Sequence, residues 1–211
     1  MSDQQALEWM RIFGQQYTRR NPSTPQEVDV IYSERYGISR SELNEKFVGR
    51  INRSASVVEV GANVGNQLAL LKEMGFNSLH GVDLQLFAIE VSNRRRDIEM
   101  VQGSALDIPF KDSAFDLVFT SGLLIHIHPL NIARVMNELH RCAREYIWGF
   151  EYYAKEYTEV QYRGQANMLW KTDFSKLFLN AFSDLDLVKE ERLTYLDSDP
   201  IDAMFLLRKR S

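Results

Sequence analysis

Apolar residues recur along this chain with two different periods, and the switches between them lay out its elements. Residues 56–60 (SVVEV) form a β-branched run that leads straight into Gly61-Ala62-Asn63-Val64-Gly65. A short apolar run bounded by turn residues predicts a buried strand. Leu68, Leu71 and Met74, with Ala69 and Leu70 beside them, follow helical spacing, and Gly75 is placed to close that helix. Ser78 to Val82 predicts a second strand, ended by Asp83. Phe87, Ile89 and Val91 predict a second helix running into Arg94-Arg95-Arg96, whose charges complement a helix C-terminus. Ile98 to Val101 predicts a third strand, before Gly103.

The alternation continues. Phe115 to Thr120 reads as a buried strand, Ile132 to Cys142 as an amphipathic helix on Ile132, Val135, Met136 and Leu139, and Tyr146 to Phe150 as a further strand. Strands alternating with helices predict parallel βαβ units, hence an α/β sheet covered on both faces. Asp186 to Arg192 and Ala203 to Arg208 read as two more strands with no good helix between them, most simply an antiparallel hairpin at a sheet edge. Asn21-Pro22-Ser23-Thr24-Pro25 predicts a surface connection between two N-terminal helices.

Composition narrows this picture. A chain of 211 residues is long enough for one domain with its own core. The net charge of −4, from 25 basic and 29 acidic residues, argues against a nucleic-acid binder, which carries a broad basic face. No run of about 18 apolar residues predicts a membrane span. The first residues, MSDQQALEWMRIFG, lack the basic and then apolar start of a signal peptide. Cys142 is the single cysteine, which excludes an internal disulfide and a cysteine zinc site and fits a reducing, cytoplasmic setting.

In an open parallel sheet, ligands bind beyond the carboxyl ends of the strands. Three such ends carry suggestive residues. Glu59-x-Gly61-x-Asn63-x-Gly65 places small residues between strand and helix, where the backbone turns sharply and a helix N-terminus favours anionic groups. Asp83, 22 residues after Gly61, suits an acid accepting both ribose hydroxyls of an adenosine. Gly103-Ser104-Ala105 opens a loop, Leu106 to Phe110, fit to wall an adenine. Together, in this order, they predict a nucleoside-cofactor site.

The glycine-like positions recur every second residue after an acid, unlike the G-x-G-x-x-G of dinucleotide folds. In this the chain resembles the class I S-adenosylmethionine-dependent methyltransferases, whose first motif is matched by Glu59, Gly61, Asn63 and Gly65, with Asn63 in place of the middle glycine. Asn tolerates left-handed backbone angles well. Phe115-Asp116-Leu117-Val118 through Ile125-His126 resembles the family's fourth-strand signature. The flanks (Trp9, Phe13-Gly14, Tyr17, Arg20-Asn21; Tyr36-Gly37-x-Ser39-Arg40-x-Glu42-Leu43-Asn44; Glu151-Tyr152-Tyr153; Tyr162-Arg163-Gly164; Trp170-Lys171-x-Asp173-Phe174) look like the pseudaminic acid biosynthesis-associated methyltransferase family.

The resemblance implies a Rossmann-like methyltransferase fold: a seven-stranded, mostly parallel sheet with helices on both faces, a C-terminal antiparallel hairpin and an N-terminal helical cap. It implies one domain over 1–211, with a helical cap (1–55), a cofactor-binding half (56–150) and a substrate-side part (151–211). S-adenosyl-L-methionine is the implied cofactor, held by Glu59, Gly61, Asn63, Gly65, Asp83, Leu84, Gly103, Ser104, Ala105, Thr120 and Ser121, with Tyr17, Arg19 and Arg20 in a lid. The implied catalytic residues are His126, Glu151 and Tyr152; His128, Tyr153, Tyr162 and Arg163 are expected at the substrate. Trp9, Phe13 and Tyr17 also fit plain helix packing by their spacing. No metal is expected. The implied acceptor is a small bacterial metabolite, a nonulosonic sugar or related amino sugar, with neither nucleic acid nor membrane as partner.

Two rivals remain on the sequence. A nicotinamide-dependent nucleotide-sugar oxidoreductase or epimerase lacks support, since the third glycine and a Tyr-x-x-x-Lys pair are both missing. A non-catalytic binding module on the same fold would not need such intact cofactor motifs.

Overall fold

The computed structural model describes residues 3–21, 24–93, 98–164 and 166–210. Four helices precede the sheet: α1 (Asp3–Met10), α2 (Ile12–Arg20), α3 (Pro25–Tyr36) and α4 (Arg40–Val48). Their ends are written locally. Thr24 accepts from Glu27 N–H with Pro25 in the first turn, and Gly37, at φ 73°, stops α3. Ser39 and Glu42 form a reciprocal capping box on α4.

The body alternates as the hydrophobic pattern predicts: β1 (Ser56–Val60), α5 (Asn66–Glu73), β2 (Ser78–Asp83), α6 (Leu86–Asn93), β3 (Glu99–Gln102), β4 (Phe115–Ser121), α7 (Pro129–Cys142) and β5 (Ala143–Tyr152). There follow two short strands, β6 (Thr158–Glu159) and β7 (Trp170–Lys171), then α8 (Phe174–Ala181), β8 (Leu185–Thr194) and β9 (Ile201–Lys209). The main sheet has seven strands in the order β3-β2-β1-β4-β5-β9-β8. The first five run parallel, and β9 is antiparallel to both β5 and β8. This is the Rossmann-like methyltransferase fold. The last two strands form the expected hairpin, with the later one inserted against β5.

Strand residues alternate between two cores, as pleating requires. Val58, Val118, Ile147 and Phe205 face α7 and α8, meeting Val135, Leu139 and Phe178. Val57, Leu117, Trp148 and Met204 face the other way, meeting Leu43 and Phe47 of α4 and Leu68 and Leu71 of α5. Gly75, at φ 96°, ends α5 as expected: its N–H reaches Lys72 O, and Phe76 N–H reaches Leu71 O.

Three differences from the sequence reading have physical reasons. The N-terminal segment breaks at Arg11 into α1 and α2, because Arg11 is extended (φ −94°, ψ −156°) and caps no helix with its side chain. The fifth strand starts at Ala143 directly after α7, since polar Arg144 and Glu145 hide a strand start that later apolar residues announce. Helix α8, only eight residues long, was not expected. Arg94-Arg95-Arg96, and Pro22-Ser23 of the N-terminal connection, lie outside the described residues.

Candidate functional site

A cavity of about 530 Å³ opens beyond the carboxyl ends of β1, β2, β4 and β5, roofed by α1–α3 and by the segment after β5. Gly61 (φ 78°), Asn63 (φ 48°) and Gly65 (φ 74°) all occupy the left-handed region. That alternation needs residues without a branched Cβ, which explains Asn in the middle position. Gly61 and Ala62 N–H groups both donate to Val82 O, fastening the turn to β2. Gly65 does not line the cavity; it starts α5, whose first residues Asn66 and Gln67 do.

Asp83 is held by backbone donors on both oxygens: Asn63 N–H at 2.7 Å and Gln85 N–H at 2.8 Å. Burial pushes its pKa up against those hydrogen bonds. Glu59 is 2% exposed, burial drives its pKa well above the carboxylate range, and nearby Arg40 pulls it back. Glu59 Oε2 and Asn63 Oδ1 are buried without a partner, and both residues line the cavity. Leu84, Gly103, Ser104, Ala105 and Leu106 form the next wall. Ser104 spends its hydroxyl on Leu106 N–H, so it shapes the loop.

His126 sits in a short 3-10 turn (Leu124–His126), its ring between Trp9 (4.7 Å), Tyr162 (5.1 Å) and Tyr17 (6.3 Å). Its Nδ1 lies 2.8 Å from Met168 O. A carbonyl only accepts, so Nδ1 carries the hydrogen. Burial lowers the imidazole to about 4, which makes it neutral near pH 7.

The structure brings Glu59, Gly61, Asn63, Asp83, Leu84, Gly103, Ser104, Ala105, Ser121, Tyr17, Arg20, His126, Tyr152, Tyr162 and Arg163 around this one cavity. Six expected residues do not line it. Glu151, 1% exposed, accepts from Thr120 Oγ1 (2.8 Å) and from Leu123 and Ile125 N–H, and burial raises it to about 7. Glu151 and Thr120 therefore hold the loop beneath His126. His128 caps α7 through Leu130 N–H, with its ring against Trp170. Tyr153 lies under the Arg192 guanidinium, 3.6 Å from its ring centroid, away from the cavity. Gly65 is the fifth, a turn residue. Arg19, the sixth, stands over Phe87. Phe13's side chain lies outside the described residues.

Several lining residues were missed. Trp9, which opens the flank resemblance and whose spacing also fits helix packing, walls His126; its backbone O and that of Arg11 accept from Gln85 Nε2, two positions beyond Asp83. Tyr32, Arg35 and Tyr36 on α3 line the far end, and Tyr36 and Tyr195 donate their hydroxyls to buried Asp202. Of these only Tyr36 falls in a flank motif; none marks Tyr32 or Arg35, which meet the β5 residue Phe150 and its neighbours only when α3 packs over that strand.

Among the described residues, no group of three or more His, Cys, Asp and Glu is placed to hold a metal ion, and no helix is long and apolar enough to cross a membrane. Residues 58–146 match the family model of a methyltransferase domain. No curated protein sequence matches the chain. Among solved structures, the PH0226 protein of Pyrococcus horikoshii superposes with a TM-score of 0.68 at 17% identity, covering 92% of this chain and 99% of that one. The 1,6-didemethyltoxoflavin-N1-methyltransferase of Burkholderia thailandensis, solved with its substrate and S-adenosylhomocysteine, gives 0.67 at 18%, covering 90% and 84%. The [4+2]-cyclase SpnF gives 0.65 at 13%, covering 81% of each chain. At such identities these likenesses are of fold. Residues 58–146 thus carry a methyltransferase domain, on a fold shared with these structures, and mark an enzyme whose cofactor is S-adenosylmethionine.

Proposed function

We propose that the enzyme methylates a small molecule inside this cavity, with the adenosyl half of the cofactor over β1, β2 and the 103–106 loop. The carrying observation is the pair of buried, unpartnered oxygens, Glu59 Oε2 and Asn63 Oδ1, beside an Asp83 fixed by two backbone donors. Buried acceptors without donors fit a ligand that brings ammonium and hydroxyl groups. When bound, S-adenosylmethionine supplies an electrophilic methyl group on its sulfonium.

The chain's own residues do the rest. Asp83 accepts the ribose hydroxyls, and Leu84, Ala105 and Leu106 enclose the adenine. The α5 N-terminus and Arg20 favour the carboxylate. A Cβ built on Gly122 would meet nothing within 4 Å, so this stretch of backbone leaves room for a donor to lie against it. Trp9, Tyr17 and Tyr162 exclude water around His126. With Nδ1–H committed to Met168 O, the neutral ring offers Nε2 to the nucleophile's hydrogen and holds it in line. A ring that charges only near 4 orients that hydrogen at neutral pH without storing it; as the new bond to the methyl group forms and the methyl's bond to sulfur breaks, the proton leaves the product for bulk water. Tyr152, Tyr162 and Arg163 line the acceptor side.

For the acceptor we retain a nonulosonic sugar or related amino-sugar metabolite, on the flanking residues alone, and a cytoplasmic setting, on the single buried Cys142. The nicotinamide alternative is not favoured: Asn63 and Gly65 leave no third glycine in its pattern.

Calorimetry with S-adenosylhomocysteine, followed by labelled methyl transfer over amino-sugar acids, tests the reading. Saturable binding and a labelled product are expected. Absence of cofactor binding overturns it.

A further inference from the structure

The end of the cavity farthest from Asp83 has a chemistry of its own. Tyr152 ends β5, three strand steps from β2, so about 14 Å separates it from Asp83 at the usual strand spacing. Here the walls are Ile31, Arg35 and Tyr36 from α3, with Phe150 and Tyr152 from β5. Arg35 is half-buried, its guanidinium 5.1 Å from the Tyr195 ring centroid and 5.9 Å from that of Tyr36. Among the described residues it joins no ion pair, whereas Arg141, Arg144 and Arg192 each engage a carboxylate. The nearby acid, Asp202, is 1% exposed and does not line the cavity; its Oδ2 accepts from the hydroxyls of Tyr36 and Tyr195, and its Oδ1, which lacks a hydrogen-bond partner, forms no ion pair with Arg35, although its charge acts on Arg35 and Lys171 from a distance. A second cation, Lys171 Nζ, lies 5.4 Å from the Tyr152 ring centroid and also joins no ion pair there.

Closing a cavity over an unpaired guanidinium is costly unless an anion accompanies it. The cavity's own acids, Glu59 and Asp83, sit at the opposite, cofactor end, and a methyl-donating sulfonium adds a positive charge between, so the charge missing at this end is negative. We infer that Arg35 is the seat of a carboxylate on the methyl acceptor, with the Tyr152 hydroxyl as a second donor and Ile31 and Phe150 against the acceptor's body. The substrate class is thus a small carboxylic acid. One planar fork matches two carboxylate oxygens, while a phosphate dianion asks for more donors than this end presents. The inference rests on the methyltransferase reading and adds the acceptor's charge to it.

The test uses the full chain saturated with S-adenosylhomocysteine, titrated with matched probes: benzoate against benzamide, N-acetylneuraminate against its methyl ester, and phenyl phosphate. At least one acid is expected to bind, with its neutral partner about 10- to 100-fold weaker. Arg35→Gln should abolish that preference while leaving cofactor affinity within about twofold, and Arg35→Lys should recover part of it. Tyr152→Phe, which keeps the ring, should weaken the acid several-fold if Arg35→Gln misfolds. Equal binding of acid and neutral partner overturns the inference. So does an unchanged preference in Arg35→Gln, binding of phenyl phosphate alone, or no acid bound at millimolar concentration. Failure of the cofactor product to bind would instead overturn the methyltransferase reading, and this inference with it.

Discussion

Asp83→Asn separates the ligand role of this carboxylate from its structural one. Each oxygen accepts one backbone N–H, from Asn63 and Gln85, and keeps a lone pair for a ribose hydroxyl. The amide retains one acceptor oxygen and turns an N–H₂ toward the other donor. One charge-assisted hydrogen bond to ribose is lost, about 1.5–3 kcal/mol, or roughly 10- to 150-fold in affinity. Folding responds differently. Burial raises the Asp83 pKa, so its contribution is favourable below the unfolded value and is lost as pH rises through the folded one. At pH 7 its charge is a cost that Asn removes, offsetting the internal hydrogen bond given up. Net stability should change by about 1 kcal/mol or less, a Tm shift within about 4 °C. Calorimetry with S-adenosylhomocysteine and a thermal melt on one preparation read both quantities. Affinity within twofold of the parent, at unchanged Tm, would refute the ribose role. Affinity lost together with a collapse in Tm would mean that the loop, not the ligand contact, had failed.

Other outcomes follow from the same geometry. His126, lowered from 6.5 to about 4, adds stability as pH rises through that window, whereas Glu151, raised from 4.5 to about 7, removes it as pH rises. The two oppose each other, so His126→Gln should make chemical-denaturation stability fall between pH 5 and 6.5 and Glu151→Gln should make it climb; identical slopes in both would contradict the assignments. Gly61→Ala forces a Cβ to 2.8 Å from Leu123 Cδ1 at φ 78° and should lower Tm by about 2–8 °C, from about 1–2 kcal/mol of left-handed strain. Asn63→Gly keeps that backbone and should melt within a few degrees of the parent; a large loss there would mean that the Asn63 side chain supports the fold.

The strands and the glycine turn that floor the cavity were legible because their signals are local. A β-branched run, a turn that tolerates left-handed angles and an acid at the next strand end sit within 28 residues, from Ser56 to Asp83. The cap was not. Trp9 and Tyr17 look like one helical face until the break at Arg11 turns both toward His126. Arg35 and Tyr36 look like an ordinary helix end, and only the packing of α3 over β5 gives them a cavity to face. Glu151 is the opposite case: an acid ending a strand looks catalytic from its spacing, and that spacing gives no sign of the three donors that engage it in the fold. Spacing reports neighbours along the chain, and the acceptor end is assembled from residues more than 100 positions apart.

The order of strands also bears on how the molecule is made. β5 is complete by Tyr152, but its outer neighbour, β9, begins only at Ile201. For nearly 50 residues of synthesis, the apolar run Ile147-Trp148-Gly149-Phe150 therefore has an open edge. The β8 segment, synthesised from Leu185 on, pairs with β9 and not with β5, so it cannot cover that edge. An exposed, hydrophobic strand edge recruits other chains. The nascent enzyme is thus at greatest risk of self-association just before its last strand emerges. Slowed translation after Thr194 should raise its insoluble fraction more than an equal pause before Ala143.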